Sequence, residues 1–132
     1  MTTKAPAPKR ILLVEDEYLI ADDMAYELRN FGLEVIGPFP SVAATLKALE
    51  TTCVDGAVLD INLSGEKVYP VADVLLGRDV PMIFTTGYDN GEIPPRYAAI
   101  DRCSKPVTRD ALAKAVDRLV SSEEEEAQGR TY

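Results

Sequence analysis

Short apolar runs alternate along the chain with longer stretches in which apolar residues recur at helical spacing. The apolar runs predict strands over residues 11–14, 33–36, 57–59, 82–85 and 100–103. The helical spacing predicts helices over residues 17–31, 41–51, 68–76 and 108–120. Gly32 ends the first of these helices, Ser41 and Thr108 are good N-caps, and Gly37-Pro38 is expected to break the second strand.

Strands that alternate with helices predict an α/β protein whose parallel sheet is covered on both faces. We expect one domain over residues 10–121, a flexible leader over 1–9 and an acidic flexible tail over 122–132. In doubly wound sheets, functional groups gather at the carboxyl ends of the strands. We therefore expect the functional residues of this chain at the carboxyl ends of its strands.

Composition removes several function classes. The 132 residues carry a net charge of −8 and no histidine, which excludes Ser-His-Asp and Cys-His catalysis and disfavours a nucleic-acid partner. Cys53 and Cys103 are expected to be small core or near-core residues, not a disulfide or a metal site. The sequence contains neither an apolar run long enough for a membrane span nor a signal peptide, so we expect no membrane partner and a cytoplasmic location.

Acidic residues end two of the predicted strands. Glu15 and Asp16 follow the first strand, and Asp60 ends the third. If these strands are neighbours in the sheet, the three carboxylates meet, and two like charges about 4 Å apart repel by about 4 kcal/mol at an effective dielectric near 20. Lys105, after the fifth strand, is one candidate cation, but one ammonium cannot neutralise three carboxylates. Glu15 could instead only favour the N-terminus of the first helix.

A hard divalent ion suits such a cluster. Magnesium, for which manganese is a chemically similar substitute, takes oxygen ligands and keeps several waters. Asp16 and Asp60 could supply carboxylates, Asn62 a backbone carbonyl and Glu15 a contact through water. The same parts serve phosphoryl transfer, with Asp60 as an exposed, charged nucleophile. Thr86 and Lys105 would hold the remaining phosphoryl oxygens.

These markers, in this order, resemble the receiver domain of bacterial two-component response regulators. The matching residues are Val14-Glu15-Asp16-Glu17, Asp60, Thr86-Gly87 and Lys105-Pro106. The resemblance covers residues 10–120 and implies the flavodoxin-like fold, a five-stranded doubly wound sheet with strand order 2-1-3-4-5.

The resemblance also implies a function. Asp60 would accept a phosphoryl group, in a magnesium-dependent reaction, from the phosphohistidine of a histidine kinase or histidine phosphotransfer protein. The chain would then signal to an unknown downstream protein by contact, as a stand-alone receiver without an output domain. A cis Lys105–Pro106 bond is implied as well. The stretch Phe84-Thr85-Thr86-Gly87-Tyr88 is similar to the signature of a stand-alone alphaproteobacterial subclass.

Two features depart from the family pattern. Arg102 stands where receivers carry an aromatic switch residue, and a guanidinium cannot bury itself as a ring does. The segment between Thr86 and Lys105 contains Gly91, Pro94 and Pro95, which predicts an irregular fourth crossover. Tyr88 and Asn62 are further candidates, for switching and for tuning dephosphorylation.

The first helix suggests a docking surface. Its predicted buried stripe comprises Tyr18, Ile20, Ala21, Met24, Ala25, Leu28 and Phe31. Leu19, Asp23 and Tyr26 fall outside this stripe and could dock a helix pair that bears a phosphohistidine, or could be ordinary surface residues. The glutamates over 123–126 are expected to be a solvated tail rather than an interaction element.

Three other functions are compatible with parts of this pattern. A haloacid-dehalogenase-type phosphatase also uses a strand-ending aspartate and magnesium, but it needs a second aspartate where this chain has Asn62, so we expect no enzymatic turnover beyond slow self-dephosphorylation. A constitutive, unphosphorylated adaptor with the same fold stays open because of Arg102. A flavin-binding protein lacks support, since the loops contain no phosphate cradle rich in Ser, Thr and Gly.

Overall fold

A computed structural model describes residues 7–87 and 92–129, with side chains described as far as residue 121. Its centre is a sheet of five parallel strands, which are β1 (Arg10–Val14), β2 (Glu34–Phe39), β3 (Gly56–Asp60), β6 (Met82–Thr86) and β7 (Asp101–Ser104). Their order across the sheet is β2-β1-β3-β6-β7. Counted within the sheet alone this is the order 2-1-3-4-5, so the predicted flavodoxin-like fold is confirmed.

A second, two-stranded antiparallel sheet follows Asp60. It pairs β4 (Asn62–Leu63) with β5 (Glu66–Lys67). Ser64 and Gly65 connect these strands with φ angles of 53° and 90°, the left-handed conformation that tight hairpin turns require. The loop predicted after Asp60 is therefore a short hairpin beside the acidic residues.

Helices cover both faces of the central sheet, as expected for parallel strands. They are α1 (Tyr18–Asn30), α2 (Val42–Leu49), α3 (Tyr69–Gly77) and α4 (Arg109–Gly129). In the fourth crossover, the regular structure among the described residues is one 3-10 turn over Pro95–Tyr97. The prediction of an irregular crossover is confirmed for these residues.

The core consists of two layers, because successive residues of a strand point to opposite faces of the sheet. Leu13, Val58 and Ile83 pack with α1 and α4 on one face. Leu12, Leu59 and Phe84 are among the residues that pack with α2 and α3 on the other face.

The predicted break at Gly37-Pro38 is wrong. β2 continues through both residues to Phe39, with a cis bond between them. Gly37 has a φ of 111°, and a Cβ atom there would lie 2.7 Å from the Leu13 carbonyl oxygen. Gly37 therefore lets β2 pass close to β1, and the pairing register shifts between Leu12 and Val14.

The helix ends agree only in part with the predictions. Ser41 caps α2 by accepting a hydrogen bond from the Ala44 N–H, and Thr108 Oγ1 accepts one from the Ala111 N–H. The predicted end of the last helix near residue 120 is wrong, because α4 continues to Gly129. Glutamate, alanine and glutamine, which dominate this extension, favour helix. The boundaries of the leader, domain and tail stay predictions.

The two cysteines differ in environment. Cys103 is buried, as predicted, whereas Cys53 is exposed because it follows α2 in a loop outside the core; both thiols are free. Among the described residues, no helix has the length and apolar character to cross a bilayer.

Candidate functional site

Three acidic residues converge at the carboxyl ends of the central strands. Glu15 and Asp16 directly follow β1, and Asp60 is the last residue of β3, the neighbouring strand. Each contributes a carboxylate oxygen to a cluster in which these atoms lie within 4.8 Å of one another. The fold therefore brings together the three acids that the sequence pattern selected.

Lys105 supplies the positive charge next to this cluster. Its Nζ atom lies 3.0 Å from Asp60 Oδ2 and 3.1 Å from Glu15 Oε1. The Lys105 backbone N–H donates to the Thr86 carbonyl oxygen at 2.7 Å, which ties the end of β7 to the end of β6. The Lys105–Pro106 peptide bond is cis.

Asp60 is buried, contrary to the expectation that it stands exposed. Its relative exposure is 3%, the same as that of Glu15. The burial is tolerable because both carboxylate oxygens of Asp60 have donors: the Asn62 N–H reaches Oδ1 at 3.2 Å, and Lys105 reaches Oδ2. Sequence alone could not reveal this, since the donors come from the following hairpin and from the end of β7.

Burial sets the electrostatics of the cluster. Burial raises the pKa of Glu15 to about 7, and the negative charge of Asp60 adds to this rise. A hydrogen bond from the Glu17 N–H acts in the opposite direction and lowers the pKa. Burial also raises the pKa of Asp60, although Lys105 opposes this shift. Burial alone would lower the pKa of Lys105, but its contacts with both carboxylates raise it. One ammonium thus leaves the buried acids short of positive charge.

The geometry fits a hard divalent cation. Oε1 of Glu15 is buried and accepts no hydrogen bond, although Lys105 Nζ is 3.1 Å away. Asp16 is only partly buried, so it could reach an ion that keeps some of its waters. Glu15, Asp16 and Asp60 each offer carboxylate oxygens, the ligands that magnesium prefers. The acidic cluster could therefore hold a metal ion.

Ser64 contacts the acidic cluster, although the sequence pattern does not predict it as a site residue. Its hydroxyl, in the turn between β4 and β5, donates to Asp16 Oδ2. Burial would raise the pKa of Asp16, but the Ser64 hydrogen bond, with further hydrogen bonds, lowers it below its usual range. No local sequence signal marks the contact, because it joins residues 48 positions apart.

A small cavity of about 190 Å³ opens beside Lys105. Thr86, Gly87 and Ser104 also line it. Thr86 ends β6 and is registered with Ser104 on β7. The volume is sufficient for a small anion, and Lys105, which lines it, also contacts Asp60 and Glu15.

The other candidate residues occupy varied positions. Asn62 is partly buried, and its backbone N–H contacts Asp60, while the role of its carbonyl stays a prediction. Arg102 is exposed on β7, opposite Phe84 of β6, in accord with the argument that a guanidinium avoids burial. Tyr88 lies outside the described residues, so neither its role nor the subclass signature is tested.

α1 presents the predicted docking residues to solvent. Leu19 is 76% exposed and Tyr26 is 64% exposed, and Asp23 between them is also exposed. The prediction that Tyr18 belongs to the buried stripe is wrong, since it too is 76% exposed. It is the first residue of α1, where the helix begins beside the acidic cluster rather than over the sheet.

Fold and site together define a doubly wound α/β protein with an acid-lined, lysine-containing site at the strand ends. No protein-family model matches the chain. The sequence is 28% identical over 113 residues to the sensory transduction protein LytT of Bacillus cereus, covering 83% of this chain and 46% of that protein. The chain spans about half the length of such curated relatives, and up to 62% in the case of a transcriptional regulatory protein of Mycobacterium tuberculosis.

Two solved structures match over nearly their whole length. SdrG from Sphingomonas melonis Fr1 is 38% identical with a TM-score of 0.77, over 88% of this chain and 99% of SdrG. The signal receiver domain of a modulated diguanylate cyclase from Desulfovibrio desulfuricans is 26% identical with a TM-score of 0.77, over 90% of this chain and 98% of that domain. The chain therefore belongs to the receiver-domain family of two-component response regulators.

Proposed function

We propose that Asp60 accepts a phosphoryl group from the phosphohistidine of a histidine kinase or phosphotransfer protein, in a magnesium-dependent reaction. The observation that carries the proposal is the buried Asp60 carboxylate held between Lys105 and two further acids at the strand ends. A buried aspartate in so acidic a site is costly to keep. A role as the acceptor of a phosphoryl group accounts for a buried carboxylate that is otherwise unfavourable.

In the transfer step, a carboxylate oxygen of Asp60 forms a bond to phosphorus as the bond from phosphorus to the donor's histidine nitrogen breaks. The electron pair of the broken bond stays on that nitrogen, and the ring, protonated on its other nitrogen, leaves as neutral imidazole. Lys105, already 3.0 Å from Asp60, would pair with one phosphoryl oxygen. The hydroxyl of Thr86, a residue that lines the adjacent cavity, would donate to another.

Asp16, Asp60 and Glu15 would hold a magnesium ion, with Glu15 acting through water. When bound, the ion supplies positive charge to the phosphoryl oxygens and offsets the repulsion among the acids. The buried Glu15 Oε1, which accepts no hydrogen bond and shares its cation Lys105 with Asp60, supports this assignment.

The donor is proposed to dock on the exposed side of α1. Leu19 and Tyr26 offer apolar surface, and Asp23 between them offers a charge, close to the start of the helix that follows Asp16. Replacing Leu19 and Tyr26 by alanine should slow transfer from a phosphohistidine protein while leaving acetyl phosphate labelling unchanged. If both donors slow equally, the docking assignment is wrong.

We further propose that the chain is a cytoplasmic signalling domain, not an enzyme with turnover. Asn62 stands where an aspartate-nucleophile phosphatase needs its acid/base, and an amide cannot act as a general acid or base at neutral pH. Its proposed output is contact with a downstream protein, and slow hydrolysis of the aspartyl-phosphate would end the signal.

The test is intact mass after incubation with acetyl phosphate, with and without magnesium. We expect a gain of about 80 Da, one phosphoryl group, only with magnesium and only when Asp60 is present. Asp60→Asn should show no gain, and the matched control Asp101→Asn, which alters an exposed aspartate paired with Arg118, should label as the wild type does. An unlabelled wild type would favour the constitutive adaptor.

A further inference from the structure

Tyr97 is a fully buried aromatic residue in the crossover that joins Thr86 to Lys105. Its exposure is 0%, although it lies in a 3-10 turn of only three residues. The ring stacks on Tyr69 of α3, with centroids 4.7 Å apart and an interplanar angle of 13°. It also meets Phe84 of β6 edge-on at 5.9 Å and 75°. The turn is thus anchored between α3 and the sheet.

A polar contact sets the orientation of this ring. The Tyr97 hydroxyl donates to Asp73 Oδ1 at 2.6 Å, and Arg96 donates to both oxygens of the same carboxylate at 3.3 Å. The Arg96 guanidinium carbon also lies 4.6 Å from the centre of the Tyr97 ring. Asp73 on α3 therefore holds two of the three residues of the turn, Arg96 and Tyr97.

This cluster lies on the face of the sheet to which Thr86 belongs. Alternation along β6 directs Phe84 and Thr86 to one face, which is also the face that Tyr97 packs against. Phe84 is the direct link, because it contacts Tyr97 and precedes Thr86 by two residues. Arg102, registered with Phe84, is exposed and offers no aromatic packing there.

We propose that Tyr97 is a positioning residue for Thr86: its bond to Asp73 holds the ring against Phe84 and so sets where β6 presents the Thr86 hydroxyl to a phosphoryl group. The inference rests on the proposed function, since it requires Asp60 to bear that group. Tyr97 itself is not among the described residues that line the cavity beside Lys105, which are Thr86, Gly87, Ser104 and Lys105.

Beryllofluoride, a stable substitute for the phosphoryl group, is the probe, titrated with magnesium in excess. Tyr97→Phe removes only the hydroxyl and should weaken beryllofluoride binding by roughly fivefold, a coupling of the size that packed networks carry. Asp73→Ala, which removes the acceptor of that hydroxyl, should weaken it similarly. Magnesium affinity in the absence of beryllofluoride should not change, because the acidic cluster is untouched; a purely structural defect would lower both.

A double-mutant cycle isolates the link to Thr86. In a Thr86→Ala background, Tyr97→Phe should have no further effect on beryllofluoride affinity. An undiminished fivefold effect there, or wild-type affinity for Tyr97→Phe, overturns the proposal. Asp101→Asn breaks an exposed Arg–Asp pair of similar geometry elsewhere and should bind as the wild type. If the wild type itself neither binds beryllofluoride nor gains mass, the proposed function fails, and this inference fails with it.

Discussion

Two aspartates of this protein each lie beside a cation, and their environments have opposite effects. Asp60 faces Lys105 at 3.0 Å and is buried, and its pKa is raised. Asp73 faces Arg96 at 3.3 Å with its side chain 47% exposed, and hydrogen bonds from Tyr97 and Arg96 lower its pKa. A neighbouring cation does not decide the sign of the shift; burial without enough compensating charge does.

The difference between the two aspartates distinguishes the turn beside Asp73, which stabilises the fold, from the acidic cluster around Asp60, which is suited to chemistry. The turn beside Asp73 packs three aromatic rings and satisfies its polar groups. The cluster around Asp60 buries more negative than positive charge, which is a net cost without a metal. Substitutions in the two regions should therefore affect stability and metal response in different ways.

Tyr97→Ala should have the largest effect on stability. Removing a fully buried ring leaves a cavity, and comparable substitutions cost about 3–5 kcal/mol. Denaturant unfolding should show this loss, while the increase in stability on adding magnesium persists. The matched variant Tyr97→Phe keeps the ring and should lose far less; equal losses from the two variants would mean that packing is not what Tyr97 contributes.

Lys105→Met should come next, with an effect that depends on pH. It leaves Asp60 and Glu15 buried without their cation, and breaking a buried pair in this way costs about 3 kcal/mol or more. Protonation of the acids relieves the cost, so unfolding free energy should fall less at pH 5.5 than at pH 7.5. The same loss at both values would show that charge is not responsible.

The wild type without metal should itself lose stability as pH rises from about 5 to about 7. Glu15 has an ordinary pKa of 4.5 in the unfolded chain and about 7 in the fold. Between these values the folded state binds more protons than the unfolded state, so rising pH favours unfolding. Thermal unfolding at several pH values measures this slope.

Two controls sharpen the pH experiment. Glu15→Gln should flatten the slope, because the amide does not titrate. Magnesium should stabilise the wild type more at pH 7.5 than at pH 5.5, since it must compete with protons for the same oxygens. A slope that survives in Glu15→Gln would assign the titration to another group, with Asp60 the first alternative because its pKa is also raised.

Arg96→Met should have the smallest effect. Its pair with Asp73 is solvent-exposed, and such pairs contribute little to stability. The unfolding midpoint should stay close to that of the wild type, because the Tyr97 hydroxyl continues to donate to Asp73. A loss as large as that from Lys105→Met would contradict the distinction between the exposed and the buried ion pair.

The pattern of residues along the chain is enough to predict the sheet and the set of acids at its edge. Uninterrupted apolar runs such as 11–14 require burial on both faces, and this selects parallel strands covered by helices. Residues at strand ends then share one edge of the sheet, so Asp16, Asp60 and Lys105 could be brought together without coordinates. Each of these inferences depends on periodicity or on position within a single element.

The surroundings of those residues depend on how the folded elements pack against one another. Four features depend on segments that are far apart in the chain. They are the burial of Asp60, the Ser64–Asp16 contact, the passage of β2 through Gly37-Pro38 and the Tyr97–Asp73 hydrogen bond. The exposure of Tyr18, which helical spacing assigned to the core, depends on where α1 begins relative to the sheet. Periodicity specifies which side chains share a face, but the partner that each face meets is set by how the elements pack.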